Sequence, residues 1–171
     1  MIKAIIYTSN AGHTKRYAEM SAEKLGIPAY SLKEAKKQVR KKSDVIYMTW
    51  IKKGKLVDLN KARSKYNLKV ICGVGMSGPG KGTTAALQAK NKINALKEKV
   101  FYMQGGFDMT KLTGANQIMM NLLKKSLNTV ADSRGLPPEQ KEMLNMLNNP
   151  TDNVKTNNIK ELYSWYNREM K

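Results

Sequence analysis

Three short stretches carry residues whose types and spacing could do chemistry. The first is Thr8-Ser9-Asn10-Ala11-Gly12-His13-Thr14, which sets hydroxyls, an amide and the only histidine around one glycine. It stands between the apolar run Ile2–Tyr7 and a helical pattern. The first N–H groups of a helix lack intrahelical partners and lie at the positive end of its dipole. A loop in that place, with Ser9, Asn10 and Thr14 as further donors, is suited to holding a phosphate. The second stretch is Thr49-Trp50, directly after the apolar run Asp44–Met48. A tryptophan at a half-buried strand end offers a flat face for stacking and a polar edge. The third is Gly75-Met76-Ser77-Gly78-Pro79-Gly80-Lys81-Gly82-Thr83, a glycine-rich loop after the run Leu68–Val74. A phosphate loop beside an exposed tryptophan suits a phosphate-bearing aromatic cofactor.

These stretches need a frame that brings them together. Apolar runs at residues 2–7, 28–32, 44–48, 68–74 and 100–103 read as five strands. Between them lie helical patterns at 13–25, ended by Gly26, and at 83–96, with Leu87, Ile93 and Leu96 as core candidates. Lys33 to Lys42 carries six basic residues around Leu32, Ala35 and Val39, which is the outer face of an amphipathic helix. Residues 52–67 read as a loop with a short helix. A helix over 112–127 is expected to turn Leu112, Ala115, Met119, Leu122 and Leu123 inward. A short helix over 139–147 follows, between Pro137-Pro138 and Asn149-Pro150. A closing helix from Asn158 has Glu161 placed for a capping box, and Ile159, Leu162, Tyr163 and Tyr166 on its apolar face. Strands alternating with helices imply a parallel sheet covered on both faces. In such sheets ligands sit beyond the carboxyl ends of the strands, at the switch in strand order. All three stretches fall at those ends.

Composition bounds the function. The 171 residues fit a single domain over 1–171 with a full core. The formal net charge is +18, from 31 Lys+Arg against 13 Asp+Glu, and favours anionic partners. Only five of the cations are arginines, the residue suited to bidentate reading of bases. No nucleic-acid module is recognisable, so specific nucleic-acid binding is not expected. Cys72, alone in an apolar run, reads as a buried inert thiol and fits a reducing, cytoplasmic setting. No segment approaches the ~20 apolar residues of a transmembrane helix.

With these residues in view, the chain resembles the flavodoxin family over most of its length. Ser9, Gly12 and Thr14 match the family's Ser/Thr-x-x-Gly-x-Thr phosphate loop, with Ala11 where a hydroxyl is usual. Thr49-Trp50 matches a flavin-stacking pair found in some members. The resemblance implies an α/β flavodoxin-like three-layer sandwich whose five parallel strands run in the order 2-1-3-4-5. It further implies FMN as cofactor, held by residues 9–14, Thr49, Trp50, Met76, Ser77 and Gly78. Phe101–Asp108, Lys111-Leu112, Met119-Met120 and Val74–Ser77 also resemble a flavodoxin-domain subgroup related to the menaquinone-dependent protoporphyrinogen oxidases. The loop after the fourth strand lacks the second aromatic common in flavodoxins, leaving either Met76 or Pro79 to cover the ring or one flavin face open. The implied role is electron transfer, or oxidation and reduction of a small acceptor. The basic surface suggests an acidic redox protein as partner, the reverse of the family's usual pairing, with a small-molecule acceptor as the alternative.

Two other readings compete. Gly75–Thr83 also resembles the nucleotide loop of nucleoside monophosphate kinases, but it follows the fourth strand and few arginines are available to clamp phosphates. The charge alone would suit a basic nucleic-acid binder without flavin. Under the flavin reading, Lys52, Lys53, Lys55 and Lys81 should lie near the ring and raise its reduction potential.

Overall fold

The computed structural model describes residues 1–170, and of Glu139, Glu142 and Met170 the backbone alone. Near-continuous apolar sequence builds its central sheet. β1 (Ala4–Thr8), β2 (Ala29–Ser31), β3 (Asp44–Lys52), β5 (Asn67–Gly75) and β6 (Lys99–Gln104) pair in parallel in the spatial order β2-β1-β3-β5-β6. Counting parallel strands alone, this is the expected order 2-1-3-4-5. The two-residue strand β4 (Lys55–Leu56) folds back antiparallel on the end of β3. It turns through Lys53 and Gly54, both at positive φ, which matches the twist a two-residue hairpin requires.

Alternate strand residues feed two cores. Ile5, Ile46, Met48, Cys72 and Met103 face α1 (His13–Leu25) and α7 (Lys160–Met170), meeting Tyr17, Ala18, Ile159 and Leu162. Ile6, Val45, Tyr47 and Ile71 face the other way, onto α2 (Ala35–Gln38), α3 (Leu59–Lys65) and α4 (Thr83–Lys90). The result is the expected three-layer α/β sandwich. Cys72 is buried, and burial pushes its thiol far above the ordinary range, as its apolar run implies.

Between β6 and α7 the chain leaves the sheet. A two-stranded hairpin, β7 (Gly106–Phe107) with β8 (Thr151–Asp152), closes the base of this excursion. Above it α5 (Gly114–Arg134) and α6 (Pro138–Asn148) form a third small core with Phe107, Leu112, Leu127, Leu136 and Leu147. The base is stitched by a partly buried polar knot. The Tyr17 hydroxyl lies 2.5 Å from the Gln104 carbonyl and 3.1 Å from that of Asn153, and it accepts from Asn158 Nδ2 at 2.6 Å. No helix among the described residues is long and apolar enough to cross a membrane.

Several elements depart from the sequence reading. α4 stops at Lys90, because Asn91 Nδ2 takes the Leu87 carbonyl and Lys92 turns left-handed, so Leu96 is 97% exposed rather than core. The basic stretch 33–42 forms only one helical turn, α2. β3 runs four residues past Met48, which places Thr49 and Trp50 within the strand. Ala115 and Leu122 on α5 face solvent, because that helix packs on the excursion's own core and not on the sheet. Asn158 lies in a 3-10 turn (Thr156–Ile159) with its amide in the Tyr17 knot, so the Asn158–Glu161 capping box does not form.

Candidate functional site

β1 delivers the chain to the switch point, where β2 lies on one side of it and β3 on the other. The following loop reaches α1 through Gly12 at φ 90, a left-handed position that suits glycine. No side chain caps α1, and its first turn has no acidic residue. Arg16 N–H is the first to bond back, to the Gly12 carbonyl, which leaves the N–H groups before it free of the helix.

A cavity of about 490 Å³ opens directly above this turn. That lies within the 300–1,000 Å³ usual for small-molecule and cofactor sites. Its floor is Ser9, Asn10, Ala11, His13 and Thr14. One wall is Trp50, Lys52 and Lys53 from the β3–β4 hairpin, with Val74 and Gly75 at the end of β5 and Met76 just beyond it. The excursion closes the far side through Gly106, Phe107, Leu112, Asn116 and the apolar residues Met119, Met120, Leu123 and Met143. A more open hollow of about 330 Å³ between α5 and α6 contains none of these loop residues.

Three buried side-chain atoms among the described residues have no hydrogen-bond partner: Ser9 Oγ, His13 Nε2 and Ser21 Oγ. The residues of the first two line the cavity. Buried polar atoms are normally paired, and leaving one unpaired costs about 1–3 kcal/mol. Two such atoms beside a helix N-terminus fit a phosphate, which would accept from both. His13 is 7% exposed. Burial lowers its pKa from the ordinary 6.5, opposed by the Asp152 carboxylate. Gly105 and Gly106 permit this closeness: a Cβ at Gly106 would stand 2.8 Å from His13 Nε2 and 2.1 Å from the Thr151 carbonyl oxygen.

Trp50 forms a half-buried wall. Lys52 Nζ lies 6.0 Å from its ring centroid and donates to Asn116 Oδ1 at 2.6 Å, tying the hairpin to α5 across the cavity. Not every residue singled out in the sequence reaches this place. Thr49 is fully buried and donates to the Val57 carbonyl at 2.8 Å, on the side of the strand away from Trp50. Ser77 and Gly78 are exposed and do not line the cavity; Gly12 shapes the loop without lining it. Of the four lysines expected near a ring, Lys52 and Lys53 line the cavity. Lys55 donates to the Lys90 carbonyl, and Lys81 lies on the exposed loop.

That loop, residues 76–82, is pinned by two side chains from outside it. Thr83 Oγ1 sits 2.9 Å from both the N–H and the carbonyl oxygen of Gly80, and Tyr102 donates to the Ser77 carbonyl at 2.6 Å. Every residue of 76–82 is exposed. Sequence reasoning did not anticipate the excursion's wall. The Gly105-Gly106 pair was its clearest signal, since adjacent glycines after a strand often mark close backbone approach.

A doubly wound α/β sheet with an open helix N-terminus and a cavity at its switch point defines a ligand-binding domain of the nucleotide- and cofactor-holding kind. Residues 4–134 match the family model described as "Flavodoxin domain", and the chain belongs to that family. The match runs from β1 to the end of α5. No curated protein matches the chain.

Proposed function

We propose that the chain binds FMN in the cavity above residues 9–14 and serves as a redox protein, as carrier or as oxidoreductase on a small acceptor. The observation that carries this reading is the pairing of two buried, unpartnered polar side chains, Ser9 and His13, with Trp50 in one cavity. Ser9, His13, Thr14 and the free N–H groups of the first turn would hold the phosphate. Trp50 would lie against the ring, and Met76 stands where many flavodoxins use an aromatic. When bound, FMN supplies the electron-transfer chemistry.

The residues around it set its conditions. Lys52 and Lys53 bring positive charge to the cavity, which favours the more negative reduced cofactor and raises its potential. The apolar wall from α5 and α6 excludes water. The likeness of 74–77, 101–108, 111–112 and 119–120 to the protoporphyrinogen-oxidase-related subgroup supports an oxidoreductase over a pure carrier. The lone buried Cys72 fits a reducing cytoplasmic setting, and the +18 charge an acidic redox partner. The whole described chain would act as one domain. The test is titration of the purified protein with FMN: quenching of flavin fluorescence at one equivalent is expected, and no quenching at any ratio would overturn the proposal.

A further inference from the structure

His13 is the cavity residue that joins burial, a titratable ring and an unpartnered nitrogen. It is the first residue of α1, and its ring is pressed between that turn and the β7–β8 hairpin. The charged groups facing it are balanced. Asp152 approaches from β8, and Asp108 from the stretch after β7. Arg16 from α1 and Lys111 from the excursion oppose them. Arg16 pairs with Asp152, and Asp108 accepts from the Thr110 N–H at 2.9 Å and pairs with Lys111. Both carboxylates are therefore engaged elsewhere, and among the described residues no hydrogen bond stabilises a charged imidazole. The positive end of α1 disfavours a cation there as well.

An arriving phosphate monoester reverses these terms. Its charge offsets the helix end, and its oxygens give Nε2 the acceptor it lacks. We infer that His13 is a proton-linked partner of the bound phosphate: the ring takes up a proton as the phosphate enters, so binding tightens as pH falls. This rests on the reading that the cavity holds FMN. The sign follows from linkage. If the ring's midpoint is higher in the complex than in the free protein, binding takes up as much as one proton between the two midpoints. Affinity then gains up to about tenfold per pH unit across that window. The second ionisation of the phosphate, near about pH 6, works in the opposite direction. The ring itself is therefore the cleaner readout.

Because the chain has one histidine, its imidazole proton resonances identify themselves by NMR. The experiment titrates them in the full protein, alone, with saturating FMN and with saturating riboflavin, which has the same ring system and no phosphate. Alongside, FMN affinity is measured from pH 8 to pH 6 for wild type and His13→Gln. The expected result is a midpoint raised by about one unit or more with FMN and unmoved by riboflavin. The acid tightening of FMN binding should be larger in wild type than in the variant. FMN bound with an unmoved or lowered midpoint would overturn the inference, because a neutral ring donating Nε2–H would then suffice; the FMN reading would stand. Binding of neither flavin would overturn both.

Discussion

Two loops of this protein look alike in sequence and differ in structure. Residues 9–14 and 76–82 each follow a parallel strand, contain glycine and hydroxyl residues, and lead into a helix through a left-handed glycine. The second is the richer in glycine and the closer to a nucleotide-binding pattern. Yet it is exposed, and the Thr83 hydroxyl that follows it is already bonded to the Gly80 backbone. The first is covered by the excursion after β6 and holds Ser9 Oγ and His13 Nε2 without partners. On the proposed reading, a glycine-rich loop takes a phosphate when its donors are both desolvated and unspent, and glycine count does not report either condition.

The comparison can be broken most severely at Gly106. A side chain there meets the Thr151 carbonyl at 2.1 Å, so Gly106→Val must separate β7 from β8 and push on His13. We expect a loss of about 1–3 kcal/mol in stability and loss of FMN binding, read by thermal melting and flavin titration. Gly78→Ala is the control: its Cβ finds only the Gln104 side chain, at 3.8 Å or beyond, and both readouts should stay at wild type. Next in size is Ser9→Ala. A hydrogen bond to a charged group contributes about 1.5–3 kcal/mol, so FMN affinity should fall at least tenfold while stability holds or rises. Trp50→Ala should weaken FMN by about 1 kcal/mol through lost stacking, seen in the same titration. Unchanged affinity would remove Trp50 from the site.

A smaller effect belongs to the free protein. The folded-state pKa of His13 lies below 6.5, so the unfolded chain binds more protons in the window between the two values. This contribution is fully present above 6.5 and is lost as pH falls through the window. Chemical denaturation without flavin should show stability declining with acid there, and His13→Gln should flatten that slope. Lys81→Ala, in the exposed loop, should leave FMN affinity within about twofold of wild type, the size of a screened surface charge.

Much of the frame was legible. The limits of α1 follow from the apolar run before it and Gly26 after it, and the five parallel strands from their apolar runs. The proposed phosphate loop was legible because Ser9, Gly12 and Thr14 are local in sequence. The wall was not, because it depends on where the excursion folds back. α5 carries apolar residues on more than one face, Ile118 and Leu122 outward and Met119, Met120 and Leu123 inward, so periodicity alone could not say which side meets the site. The direction of the Thr49 side chain was legible as well: neighbours in a strand point to opposite faces, so with Trp50 on the cavity the Thr49 hydroxyl turns away from it. The Lys53-Gly54 turn hid the β3–β4 hairpin, since Lys is an uncommon choice for a left-handed position.

The central claim is that residues 9–14, and not 76–82, hold a phosphate. It is tested most directly by comparing FMN with riboflavin affinity, by flavin fluorescence at fixed pH and salt, in wild type, Ser9→Ala and Lys81→Ala. Wild type should show a clear preference for FMN that collapses in Ser9→Ala and survives in Lys81→Ala. Equal affinity for the two flavins, or a preference lost with Lys81 and kept without the Ser9 hydroxyl, would contradict it.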